Sequence, residues 1–205
     1  MEWENLIGII TAVIAFGVLP LILRARKKAG PQKMDGLLGH LQSNGVKASF
    51  VEKGAREENI GRSMGQKSEG LIRLEGRKIN YINIIGVSSQ YGTNYFLDYL
   101  VLKPGSPVEK HRKKTVMTRK RGSTLWGRTV DIEWKGDEYL SRELNYDFGL
   151  KDTLMYTKPD ELKGGIQIHP EPKHEYARIR TAYLLPSSEL FGALELIAGH
   201  IRSLW

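Results

Sequence analysis

Polar side chains all but vanish between Leu6 and Leu23, an 18-residue stretch in which Thr11 is the one side-chain hydrogen-bonding group. As a helix it would be about 27 Å long, close to the hydrocarbon thickness of a bilayer, so it can cross once. Five bases follow with no acid between them: Arg24, Arg26, Lys27, Lys28 and Lys33. The leader before the run, Met1-Glu2-Trp3-Glu4-Asn5, is acidic, the reverse of a cleavable signal, which carries its positive charge first. The pattern predicts an uncleaved anchor over residues 1–23 and a basic linker over 24–33. The basic flank, with Arg24, Arg26, Lys27 and Lys28 holding the anchor at the cytoplasmic surface, puts the N-terminus outside and residues 34–205 in the cytosol of the cell membrane. Trp3 suits the outer interface, and Gly8-x-x-x-Ala12 is a weak signal for helix pairing.

Periodicity then changes repeatedly. Met34, Leu37, Leu38 and Leu41 make one stripe of a short helix, with Asp35 placed to cap it and Asn44-Gly45 to end it. Val46, Ala48 and Phe50 alternate as a strand. Gly54 to Gly70 has almost no large apolar residue and reads as a mobile loop. Leu71–Glu75, Lys78–Ser88 and Tyr95–Lys103 read as an antiparallel meander with turns at Glu75-Gly76-Arg77 and Tyr91-Gly92-Thr93-Asn94. In its third strand both faces are largely apolar, which predicts a central, covered position. Asp98 is the exception there, and a paired or solvent-facing carboxylate is the expectation.

Thr129–Trp134 alternates as a further strand. Asp137 is placed to cap a helix or two short helices carrying Tyr139, Leu140, Leu144, Phe148, Leu150 and Leu154 and ending before Pro159. Ile166–His169 and Tyr176–Tyr183 form a second hairpin around Pro170-Glu171-Pro172-Lys173, whose prolines argue against a central place in a sheet. The last stripe, Leu190, Ala193, Leu194, Ile197, Ile201 and Leu204, is an amphipathic helix opened by the serines after Pro186, with Glu195 and His200 off the stripe. The whole is an α+β fold, a mostly antiparallel sheet with helices packed on one face.

Composition narrows the chemistry. The chain has 205 residues, no cysteine and a net charge of +8, and all its lysines and arginines follow the apolar run. About 170 residues remain for one cytosolic domain. Disulfides and cysteine zinc sites are excluded. Gly61-Arg62-Ser63-Met64-Gly65 lacks the ending of a phosphate-binding loop. His169 and His174, with Glu171 and Glu175, are the one metal-like cluster, but two prolines forbid the helix that would align them. With no nucleophile elbow either, no catalytic or cofactor site is expected.

The distinctive cytosolic feature is Lys110 to Arg121, where Lys110, Arg112, Lys113, Lys114, Arg119, Lys120 and Arg121 crowd twelve residues. It reads as an exposed hairpin or a solvated loop. As an anionic-surface site it would favour lipid headgroups over nucleic acid, because no aromatic platform lies among the bases. The leading expectation is a membrane-anchored, non-enzymatic interaction module, a small subunit or assembly factor of a membrane complex. The alternatives are a module binding anionic lipid or nucleic acid through residues 110–121, and an enzyme assembled from distant residues.

Overall fold

The computed structural model describes residues 19–61, 66–90, 92–102, 112–121 and 129–204, with side chains from residue 30 onward except at 121, 129, 130 and 173. Most of the expected membrane span therefore lies outside the described residues, as does Lys110. Among the described residues no helix is long and apolar enough to cross a membrane.

The described residues open with helix α1 (Leu19–Ser43) and a short strand β1 (Ala48–Phe50). A single 3-10 turn (Arg56–Asn59) leads to the long strands β2 (Lys67–Leu74), β3 (Tyr81–Ser89) and β4 (Gly92–Leu102). Next come β5 (Thr115–Arg121), β6 (Thr129–Lys135), and helices α2 (Glu138–Tyr146) and α3 (Phe148–Tyr156). Strands β7 (Gln167–Glu171) and β8 (Tyr176–Ala182) and helix α4 (Ser188–Leu204) complete it.

The strands form one eight-stranded sheet in the order β1-β2-β3-β4-β8-β7-β5-β6, and every pairing is antiparallel. Because side chains alternate across a strand, the register sorts the residues into two faces. Ile72, Ile82, Tyr99, Ile179, Ile168 and Thr115 stand side by side on one. That face carries the helices: Leu37 and Leu41 of α1, Leu140 and Leu144 of α2, Leu150 and Leu154 of α3, and Leu190, Leu194, Ile197 and Ile201 of α4 join it in a single buried core. The architecture is the expected α+β, with β4 central between β3 and β8.

The helix starts follow their caps. Asp137 accepts from the Leu140 N–H at 3.0 Å and opens α2; Asp147 accepts from the Leu150 N–H at 2.8 Å and opens α3 directly after closing α2. Ser187 accepts from the Leu190 N–H at 3.2 Å at the start of α4, while Glu161 accepts from both its N–H and its hydroxyl.

Four local expectations are revised. The stretch 24–33, expected as a basic linker, is helical, for α1 runs through Gly30 and Pro31 without a break, and Asp35 lies inside the helix instead of at its cap. Proline at 31 removes one hydrogen bond, and burial of Met34, Leu37 and Leu41 offsets the loss. The stretch 54–70 contains the 3-10 turn and the start of β2. The turn expected at residues 91–94 is tighter, since Ser89 pairs with Gly92. Strand β7 is interior despite Pro170, because β5 pairs only with Gln167 and Ile168 and makes no demand on the missing N–H.

Candidate functional site

The sheet face opposite the helices holds the least ordinary chemistry. One register row there reads Leu71, Asn83, Asp98, Arg180, Gln167, Val116 and Lys135, across seven strands. The next contains Tyr81, Leu100, Arg178 and His169. Part of this face is roofed by the chain between β1 and β2: Val51 and Ile60 pack on Leu71, Leu100 and Tyr176. Gly61 comes so close that a Cβ there would fall 2.7 Å from Leu100 and 3.1 Å from Asn83 Nδ2.

At the rim of the roof Asp98 is completely buried. It sits in a fork of arginines, its Oδ1 accepting from Arg180 Nε at 2.6 Å and its Oδ2 from Arg180 Nη2 at 2.7 Å and Arg178 Nη1 at 3.4 Å. Arg180 also donates to Gln66 at 2.8 Å and lies over the Phe96 ring, while Arg178 donates to Glu171. A buried carboxylate held by two guanidinium groups is a stable ion cluster. With both oxygens engaged and no exposure, it ties β4 to β8, and through Arg178 and Glu171 to β7.

His169 faces the same cluster, in register with Arg178. Burial, with Arg178, Lys114 and Arg180 nearby, pushes its pKa down to about 4, so it is neutral at pH 7. Burial and the Glu171 carboxylate push Tyr176 up to about 12. His174 stacks on Tyr176 with ring centroids 5.9 Å apart. Among the described residues no three His, Asp or Glu side chains converge on a possible metal position.

The basic segment is not a uniform cationic surface. Arg112 turns inward: it donates to Asp137 at 3.2 Å and to the Leu204 carbonyl at 2.9 Å, joining the cap of α2 to the C-terminal end of α4, where a cation is favoured. Lys120 lies within 3.5 Å of both Asp131 and Glu133, and Glu133 also meets Lys135 at 3.3 Å. Glu133, then Asp131, hold the Lys120 ammonium above its usual range. Arg119 reaches the Pro159 carbonyl at 3.5 Å, while Lys113 and Lys114 are exposed. From Thr115 to Arg121 the segment is strand β5, paired antiparallel with β6 as in the hairpin reading, while Arg112 to Lys114 lead into the strand without regular structure. Arg121 belongs to its backbone, and Arg24, Arg26, Lys27 and Lys28 to that of α1.

Glu195 and His200 prove structural. Glu195 accepts from the Lys78 and Ile79 N–H groups at 3.0 and 3.2 Å, and His200 Nε2 lies 2.7 Å from Asp147 Oδ2. Burial alone would raise the Asp147 carboxyl, but hydrogen bonds from His200 and the Leu150 N–H outweigh it and hold the group below its usual range.

The sequence groups Tyr139 and Phe148 with the leucines of α2 and α3, but the structure puts both on the outer faces, with Tyr146 and Tyr156. Tyr139, Arg142 and Tyr146 form a stripe at i, i+3 and i+7, and Phe148, Asp152 and Tyr156 one at i, i+4 and i+8. Tyr139, Tyr146, Phe148 and Tyr156 are 56, 71, 73 and 78 % exposed. Their signal was available, because the leucines at 140, 144, 150 and 154 already fill the core-facing sides. No protein-family model, no curated protein and no solved structure matches this chain.

Proposed function

We propose that the chain is a single-pass membrane protein whose cytosolic α+β domain is a non-enzymatic interaction module, a small subunit or assembly factor of a membrane complex. Its partner-binding surface is the outer side of α2 and α3. The observation that carries this reading is the exposure of four aromatic rings on two adjoining helices whose leucines are already buried. Tyrosine and phenylalanine bring large contact area at little entropic cost and dominate the centres of protein interfaces. The membrane location is supported by the apolar run, by the charge order around it, and by α1, which carries the basic flank into the domain as one helix. The non-enzymatic reading is supported by Asp98 and the His200–Asp147 pair, both committed to holding elements together.

Two measurements test it. Single cysteines at Glu2 and Ser203 of this cysteine-free chain should react with impermeant reagents from opposite sides of an intact membrane; labelling of Ser203 from outside would reverse the orientation. The chain purified in mild detergent from its native membrane should bring a companion protein in fixed ratio. Tyr146→Ser combined with Phe148→Ser should lose that companion without a change in melting. A companion that stays bound would move the interface elsewhere, and a chain that runs alone would end the interaction reading.

Anionic lipid or nucleic-acid binding by residues 110–121 remains the second reading, favoured by the exposed Lys113 and Lys114. Such binding would weaken steeply with salt, unlike a packed protein interface.

A further inference from the structure

We propose that the tip of the β3–β4 hairpin is a second membrane contact, seated among the lipid headgroups of the leaflet from which α1 emerges. The inference rests on the reading of Leu6 to Leu23 as a span and adds to it where the domain touches the bilayer.

The geometry comes from three residues at one level of the fold. A Cβ on Gly30 of α1 would run into the Glu69 carboxylate of β2, and a Cβ on Gly86 of β3 would lie 3.5 Å from Glu69 Oε1. From this level α1 and β2 travel together in the same direction. Gly30 to Asn44 is about 21 Å of helix and Glu69 to Glu75 about 20 Å of strand. Their far ends stay joined, Leu41 accepting from the Val46 N–H at 3.0 Å and Lys47 from the Glu75 N–H at 3.0 Å. Strand β3 runs antiparallel to β2, so beyond Gly86 it heads back along α1 toward the basic flank.

Distances then match. Gly30 to Leu23, the end of the apolar run, is about 10 Å of helix. Gly86 and its partner Tyr95 are each three residues short of the hairpin end, Ser89 paired with Gly92, another 10 Å or so of strand. The tip therefore reaches the level of Leu23 and Arg24, within a headgroup layer only about 5–7 Å thick on each side of the bilayer. Helix and hairpin base are fastened to each other. Lys33 Nζ lies 4.9 Å from the Tyr95 ring centre and 4.1 Å from that of Tyr183, and the Tyr183 hydroxyl donates to the Lys33 carbonyl at 3.2 Å.

The chemistry of the tip suits that layer. No charged residue occurs from Ile79 to Leu97 in a chain that is 26 % charged, so no carboxylate meets an anionic leaflet. Ser88, Ser89 and Gln90 are exposed; the Ser89 hydroxyl donates to the Gly92 carbonyl at 3.1 Å and closes the turn, while the Ser88 hydroxyl and the Gln90 amide are polar groups that suit phosphate and ester oxygens. These groups favour the headgroup layer over the hydrocarbon below it. Two attachments, α1 and the hairpin, stop the domain from swivelling about the helix.

The test uses the full chain in vesicles of phosphatidylcholine and phosphatidylglycerol, with a fluorophore on a single cysteine at Ser89→Cys or, as reference, Ser203→Cys. Ser203 borders Lys78 at the far end of β3, about 35 Å of strand from Ser89. Lipids with a quencher on the headgroup should quench the Ser89 label about threefold or more over the Ser203 label, since contact is confined to a layer about 5–7 Å thick. Equal quenching in chains that survive an alkaline carbonate wash would overturn the hairpin contact and leave the span intact. Chains stripped from the vesicles by that wash would overturn the span and the contact together.

Discussion

Asp98 has exchanged water for two guanidinium groups, and such an exchange is stable only while both partners are present. Replacing it by Ala would leave Arg178 and Arg180 facing each other on a covered sheet, a loss of about 3–5 kcal/mol. Asp98→Asn keeps the shape but not the charge and should lose nearly as much. Urea unfolding would read both as a lower midpoint at unchanged slope, and a midpoint within error of the parent would mean that the arginines find other partners. His169 makes the same neighbourhood sensitive to acid. Its folded pKa of about 4 lies below the ordinary 6.5, so between those values the unfolded chain takes up a proton that the folded chain refuses. Stability should therefore fall as pH drops from about 6.5 towards 4 and the histidine contribution should level off below that. Melting curves of His169→Gln should show a flatter profile across this window; an identical profile would assign the slope to other groups. The alternation of β4 marks Asp98 as an exception, but its arginines lie 80 and 82 residues further on, and no local pattern pairs them.

Among the elements, the edges of the sheet matter most, since an open strand invites another chain to pair with it. Each edge carries an amide cover. Asn145 of α2 accepts from the Trp134 N–H of β6 at 2.8 Å and donates to the Trp134 carbonyl at 3.0 Å. Gln42 of α1 donates to the Ala48 carbonyl of β1 at 3.0 Å. Asn145→Ala should expose both Trp134 groups, cost about 1–3 kcal/mol and lower the melting temperature. It should also produce dimers in sedimentation at rising concentration that the parent does not form; an unchanged, monomeric variant would show that water covers the edge equally well. The amphipathic stripe of α4 and the caps at Asp137 and Asp147 were legible because they are local. The passage of α1 through Gly30-Pro31 was not. Its composition signals a break, and only the close approach to Glu69 and the burial of Met34, Leu37 and Leu41 explain why the helix continues.

For the molecule as a whole, the meander β2-β3-β4 was legible because neighbours in sequence are neighbours in space. The strand order beyond it was not, since β8 inserts between β4 and β7 and moves the β5–β6 pair to the far edge. Strand β8 thereby closes the sheet. It pairs with β4 from Phe96 to Leu102, whereas β5 touches β7 at only two residue pairs. That arrangement has a cost in time as the chain is made. Roughly 70 residues separate β4 from the strand that closes it, so at about 5–20 residues per second the growing chain carries β4 paired with β3 on one side and open on the other for some 4–15 seconds. Leu97, Tyr99 and Val101 lack their β8 partners Thr181, Ile179 and Ala177 throughout that interval, and a ribosome stalled between Leu102 and Tyr176 would hold out a sticky half-sheet.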